Sequence, residues 1–290
     1  MLAQITAFLL NSFSFKDVLL PSGIVAGIAA VLGVVIVIIF KVFAVPVDQR
    51  FEELLEKLPG VNCGGCGYSG CSGYAQALAD GVDCDCTKCA PGGKSVAKDL
   101  ADYLGQETPN YVPKVARLAC QGTCNHTQKR YEYRGSLSCQ SATQLFAGPN
   151  SCVYGCLGFG DCTRVCDFNA MELRDGIVHI NPDNCTACGQ CVKACPKSLI
   201  SLLPKYEKLV RVACSNPDPG NRVRNVCDIG CIGCRRCNKA CEYGAITMQD
   251  NLAVIDPEKC VHCGACVGVC PTSAIVSGLH FIEKVQEAAV

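Results

Sequence analysis

Apolar residues run from Val18 to Phe40, VLLPSGIVAGIAAVLGVVIVIIF, without one charged side chain. That run exceeds the roughly 20 residues a helix needs to cross a ~30 Å hydrocarbon core. The pattern therefore predicts a single transmembrane helix near the N-terminus. Gly23, Gly27, Gly33, Ala26, Ala29 and Ala30 within it allow close packing on a partner helix. The preceding MLAQITAFLLNSFSFKD lacks a basic n-region and no A-x-A site follows the run, which argues against a cleaved signal. Positive charge orients it weakly, with Lys16 on one side and Lys41 and Arg50 on the other.

Past this run the periodicity changes. In VDQRFEELLEKLPG, Phe51, Leu54, Leu55 and Leu58 share one helical face, and Gly60 can end the helix. Tyr74, Ala75 and Leu78 predict a short helix ending at Gly81, and Lys94 to Leu104 predicts another. Further on, AMEL with IVHI and AITM with LAVI read as small hairpins around DG and DN turns. KVARLAC and KLVRVAC read as strand-like stretches ending at Cys120 and Cys214. The expected architecture is α+β. It comprises an anchor (1–45), a small helical domain (46–106), a connecting segment (107–150), a module (151–205), a linker (206–226), a second module (227–280) and a tail (281–290).

Composition changes this picture through one residue type. Twenty-seven of the 290 residues are cysteine. Cys139, Cys152, Cys156, Cys162, Cys166, Cys185, Cys188, Cys191 and Cys195 each recur 75 positions later, from Cys214 to Cys270. The odd total and the x2 and x3 spacings suit metal ligands in a reducing compartment rather than disulfides. Each copy carries C-x2-C-x2-C-x3-C-P, ending at Pro196 and Pro271, which is the bacterial ferredoxin signature for [4Fe–4S] clusters. Such clusters carry single electrons, so an electron conduit is expected rather than a bond-making site. Lys plus Arg equals Asp plus Glu at 26 each, which gives nucleic acid no basic footprint. No G-x-G-x-x-G follows a strand and no G-x-x-x-x-G-K-[ST] occurs, so no nucleotide site is visible. His126, His179, His262 and His280 are scattered, and no catalytic triad can be argued.

In two-cluster ferredoxins the fourth Cys of each run ligates the other cluster. The second module is thus expected to group Cys231, Cys234, Cys237 and Cys270, and to group Cys260, Cys263, Cys266 and Cys241. In the first module Phe159 stands where Cys234 stands in the second, and Cys152 is the nearest replacement. The expected sets there are Cys152, Cys156, Cys162 and Cys195, and Cys185, Cys188, Cys191 and Cys166. Cys120, Cys124, Cys139, Cys214 and Cys227 remain. They are either buried, idle thiols or a sixth cluster from Cys120, Cys124, Cys139 and one of Cys214 and Cys227. Five [4Fe–4S] clusters are expected, or six.

The fifth of these belongs to the N-terminal domain. Cys63, Cys66 and Cys71 lie in NCGGCGYSGC, and a fourth ligand must come from Cys84, Cys86 or Cys89 in DCDCTKCAPGG. Zinc is an alternative occupant of such pairs. CGGCGYSGC followed by CAPGG resembles the N-terminal iron–sulfur domain of the B subunit of the Rnf complex, in which the Cys before Pro-Gly-Gly, here Cys89, is the fourth ligand. Cys84 and Cys86 depart from that pattern. With the anchor and two ferredoxin modules, the resemblance covers nearly the whole chain. It implies a component of a ferredoxin:NAD oxidoreductase that moves sodium ions or protons. Soluble ferredoxin would be the donor, other Rnf subunits the membrane partners, and flavins and the NAD site would lie elsewhere. The cluster domains are expected on the cytoplasmic side. An electron-transfer subunit of a hydrogenase or another dehydrogenase, and a zinc-stabilised membrane-tethered adaptor, are the alternatives.

Overall fold

The computed structural model describes residues 15–42, 48–107 and 110–278, so the expected tail and the first part of the anchor lie outside the described residues. The chain divides into two units, 1–49 and 50–290. In the first, α1 (Phe15–Val42) is a continuous helix. Its stretch Ser22–Lys41, 20 residues long, is apolar and exposed. At 1.5 Å per residue it spans about 30 Å, enough to cross a bilayer.

The second unit begins with three helices, α2 (Gln49–Lys57), α3 (Cys71–Ala79) and α4 (Gly93–Leu104). The apolar face expected of α2 buries Leu54, and it meets Tyr74, Leu78 and Leu100 in a core closed to solvent. Cys86 and Cys89 sit in that core. Gly105 ends α4 at φ 68, where its N–H and that of Gln106 cap the last turn.

Both expected hairpins form. Strands β2 (Met171–Arg174) and β3 (Ile177–Ile180) pair antiparallel in the first module. Asp175 and Gly176 both take positive φ, 51 and 78, as a two-residue turn with the twist of the strands requires. In the second module β6 (Ile246–Gln249) pairs with β7 (Leu252–Ile255). The other two sheets draw on strands from upstream of the expected modules. Strand β1 (Lys114–Leu118) pairs with β4 (Ile200–Pro204), and β5 (Val210–Val212) pairs with β8 (Ile275–Ser277). Each module thus begins in what reads as connecting sequence.

Between the strands lie single-turn to two-turn helices: α5 (Cys139–Gln144), α6 (Asp161–Arg164), α7 (Gln190–Ala194), α8 (Gly220–Val226), α9 (Arg236–Lys239) and α10 (Ala265–Gly268). The cores are small. Ile177, Val178, Leu199 and Ile200 pack with Cys156, Cys162 and Cys191 in one, and Val210, Ile246 and Ile275 with Cys231, Cys237 and Cys266 in the other. The two modules are stitched together by polar contacts. Arg211 Nη1 donates to the Leu118 carbonyl at 2.9 Å, Ser215 Oγ to the Ala119 carbonyl at 2.9 Å, and Gln121 Nε2 to the Ser273 carbonyl at 2.7 Å. His126 Nδ1 meets Asp228 Oδ1 at 2.8 Å.

Gly158 and its repeat partner Gly233 have φ of +71 and +67 and press against the opposite hairpin. A Cβ on Gly158 would overlap the Gly176 carbonyl oxygen. Gly158→Ala should therefore lower the thermal unfolding midpoint by an amount that reflects at least about 1–3 kcal/mol of backbone strain. Gly60→Ala, at φ +69 but facing open space, should cost less in the same measurement.

Candidate metal centres

The cysteine sulfurs gather in discrete groups. In the helical domain Cys89 faces Cys63, Cys66 and Cys71. Cys86, although buried, points away towards Gln106, 3.5 Å from its Oε1, and Cys84 is exposed. The loop is shaped from outside. Asn62 Oδ1 accepts the Cys71 N–H at 2.9 Å, and the Tyr74 hydroxyl donates to the Asp85 carbonyl at 2.6 Å. Asp83 gathers Lys88, the Tyr68 hydroxyl and the Asp85 N–H. Lys88 and Tyr68 hold its carboxyl down at about 2.

In the first module Cys191 lies among Cys185, Cys188 and Cys166. This group touches the helical domain. Gln190 Nε2 donates to the Cys63 carbonyl, and Lys193 Nζ donates to the Gly64 carbonyl at 3.4 Å. Gly65 sits so close that a Cβ there would be 2.5 Å from the Cys188 carbonyl oxygen. In the second module Cys237 faces Cys231, Cys234 and Cys270, and Cys241, Cys260, Cys263 and Cys266 line one cavity. Cys270 and Cys241 each lie with the sulfurs of the opposite run.

One group differs from its expectation. Cys156, Cys162 and Cys195 share a cavity with Cys139, not with Cys152. Cys139 opens α5, in the segment between β1 and the first run, and Leu157 packs against it. Phe159, which replaces a cysteine of the repeat, lies on the Tyr133 ring at 5.5 Å. The segment ahead of the run thus brings a fourth thiol to this cavity. Spacing could not reveal this, because Cys139 is remote from the run and aligns with Cys214 in the repeat.

Cys152 turns instead into a separate cavity with Cys120, Cys214 and Cys227. Three of the five leftover cysteines therefore come together, but Cys139 is elsewhere and Cys124 is exposed outside the cavity. The one signal for this in the sequence was the shared ending of KVARLAC and KLVRVAC.

The residues present fit iron–sulfur clusters. Burial pushes the thiols of Cys162 and Cys191 up to about 12 and that of Cys266 up to about 11, so these sulfurs carry charge at neutral pH only when metal replaces the proton. Backbone N–H groups aim at sulfur as cluster ligands require: Ala116 to Cys185, Leu199 to Cys195 and Ala245 to Cys241, each at 3.4 Å. Cations lie near these sulfurs, Lys197 half-buried and Arg117 and Arg211 buried. Lys197 Nζ donates to the carbonyls of Val153 and Gly155 at 2.8 and 3.0 Å, beside the cavity of Cys139. Arg117 and Arg211 are both buried, and burial together with the charge of Arg117 brings Arg211 down to about 10.

Family models match three stretches of the chain. A 4Fe-4S dicluster domain matches residues 151–199 and 230–274, and a model described as a putative Fe-S cluster matches 58–91. The chain is 40% identical over 265 residues, 91% of its length and 79% of the relative's, to the B subunit of the Na(+)-translocating ferredoxin:NAD(+) oxidoreductase complex of Acetobacterium woodii. It is 40% identical to the B subunit of the ion-translocating oxidoreductase complex of Methanosarcina acetivorans, over 87% of this chain and 95% of that one. It is 39% identical to the B subunit of the proton-translocating ferredoxin:NAD(+) oxidoreductase complex of Clostridium ljungdahlii, over 90% and 94%.

Asp83→Ala should lower the unfolding midpoint of the helical domain equally at pH 5 and pH 8. The wild-type carboxyl stays ionised over that range. Its contribution is present above the ordinary 3.8 and is lost only as pH falls towards about 2. Thermal unfolding of both forms at the two pH values checks this.

Proposed function

The chain belongs to the B-subunit family of Rnf-type ion-translocating oxidoreductase complexes, and from that membership we propose that it is the component that takes electrons from reduced soluble ferredoxin and relays them to membrane partners. It is an iron–sulfur electron-transfer subunit of an oxidoreductase. The relay is coupled to ion translocation and to NAD reduction, with the NAD site on another subunit. The α1 helix anchors it as a single span. The cluster domains face the cytoplasm, where thiols stay reduced.

Five thiol sets would hold [4Fe–4S] clusters: Cys63, Cys66, Cys71 and Cys89; Cys166, Cys185, Cys188 and Cys191; Cys139, Cys156, Cys162 and Cys195; Cys231, Cys234, Cys237 and Cys270; and Cys241, Cys260, Cys263 and Cys266. When bound, these groups supply one-electron carriage at potentials set by hydrogen bonds, charge and exposure. The observation that carries the reading is the succession of the sets. Gly65 seats the helical domain directly on the Cys188 carbonyl, so the first set adjoins the second with no side chain between the backbones. Gln190 and Lys193 fix that seat. The crossed cysteines Cys166, Cys195, Cys241 and Cys270 bind the two sets of each module into one body.

Zinc is disfavoured by spacing. A zinc ion with Zn–S bonds of about 2.3 Å draws its thiolates to within about 3.8 Å of one another. Among the described residues no three Cys, His, Asp or Glu side chains converge closely enough to hold one ion.

Purifying the tagged chain from membranes should yield a brown preparation that bleaches with dithionite and carries flavin-bearing partners with ferredoxin:NAD activity. Hydrogenase partners in their place would sink the assignment. A second test addresses the ligand sets. Cys139→Ser should remove one cluster's resonance signal and leave that of the Cys185, Cys188 and Cys191 set. Retention of every signal would refute the place given to Cys139.

A further inference from the structure

We propose that Cys120, Cys152, Cys214 and Cys227 hold a sixth iron–sulfur centre of the four-iron class at the junction of the two modules. This rests on the relay reading above and extends it.

The four side chains line one cavity, which of the five sets only Cys156 borders. Three of the four cysteines fall outside the residues matched by the cluster-domain models. Two glycines keep the cavity open. A Cβ on Gly122 would stand 3.5 Å from the Cys227 sulfur and 3.8 Å from that of Cys120. One on Gly155 would stand 3.5 Å from the Cys152 sulfur and 3.6 Å from that of Cys120.

The sulfurs are addressed by donors as cluster ligands are. The Cys156 N–H points at Cys120 Sγ at 3.4 Å, and the Cys231 N–H at Cys214 Sγ at 3.3 Å. The Asn216 N–H also reaches Cys214 Sγ at 3.5 Å. The Asn216 side chain, only 2% exposed, aims Nδ2 at Cys152 Sγ at 3.7 Å. A fully buried amide turned towards a thiol is a costly arrangement unless that sulfur carries negative charge.

The arrangement is symmetric in the repeat. Cys152 and Cys227 are 75 residues apart, as are Cys156 and Cys231, and Cys120 and Cys214 end the equivalent strands β1 and β5. Each module gives one strand-end thiol and one thiol ahead of its first run. Cys156 belongs to one flanking set and Cys231 to the other, and each is one hydrogen bond from this cavity. A centre here joins the two halves of the row. Polar contacts such as that of Arg211 with the Leu118 carbonyl flank it.

The test is iron, acid-labile sulfide and zinc per full-length chain, purified anaerobically in detergent. The wild type should carry about 24 irons and the Cys214→Ser/Cys227→Ser double variant about 20, four irons per centre. Cys124→Ser, at an exposed thiol outside the cavity, should match the wild type. A double variant with wild-type iron overturns the proposal, as does loss of one zinc instead of four irons. About 20 irons in both forms overturns the sixth centre and leaves the five-set relay standing, whereas little iron in the wild type overturns both. If the double variant loses more than four irons, Asn216→Ala decides, because it keeps all four thiols. It should retain full iron and move one midpoint to lower potential, since an N–H donor to sulfur favours the reduced state. A redox titration identical to wild type overturns the proposal.

Discussion

Buried sulfur takes the place of the hydrocarbon core that this fold is too small to build. Each module is two sheets of two strands, and a two-stranded sheet in water is marginal by itself. Their cores hold only a handful of aliphatic side chains, and Cys156, Cys162 and Cys191, or Cys231, Cys237 and Cys266, fill the centre. A neutral thiol there packs as a small apolar group. A metal-bound thiolate does more, because it ties segments far apart in sequence to one body. Loading and folding are therefore one equilibrium. The short helices follow from the same constraint. α6, α7, α9 and α10 are each about one turn long and each carries a buried cysteine. They are held in place by what their sulfur binds rather than by an apolar stripe.

The same economy explains why the two copies could diverge. A cluster set needs a sulfur at a point in space, not at a position in the sequence. Where the second module has Cys234 the first has Phe159, which packs on Tyr133, and α5 places Cys139 in that module's cavity. The half-buried Lys197 answers to this chemistry too. Lys197 clamps the loop that carries Cys152 and Cys156 through two carbonyls, so one side chain fixes geometry and supplies positive charge at once.

Much of this was legible in the chain. The membrane-length helix follows from unbroken apolar composition, the hairpins from β-branched runs around Asp-Gly and Asp-Asn, and α2 from Leu54 and Leu58 on one face. The expectation that Cys270 and Cys241 join the opposite run came from the spacing read with the habit of two-cluster ferredoxins. Other features were hidden because they depend on contacts distant in sequence. Nothing local marks Val210–Val212 as the partner of Ile275–Ser277, since three residues are too few to show a period. Nothing in Cys139 or Cys152 says which way each will turn. That choice is made by the insert between β1 and the first run, whose path depends on anchors such as Arg130 on the carbonyls of Gly148 and Asn150.

The cavity between the modules takes two sulfurs from each copy of the repeat, from equivalent places. One copy alone offers only half of it. Whatever strains the seam between the copies therefore pulls on four thiols at once, and the shape of the pocket reports how well the halves are seated.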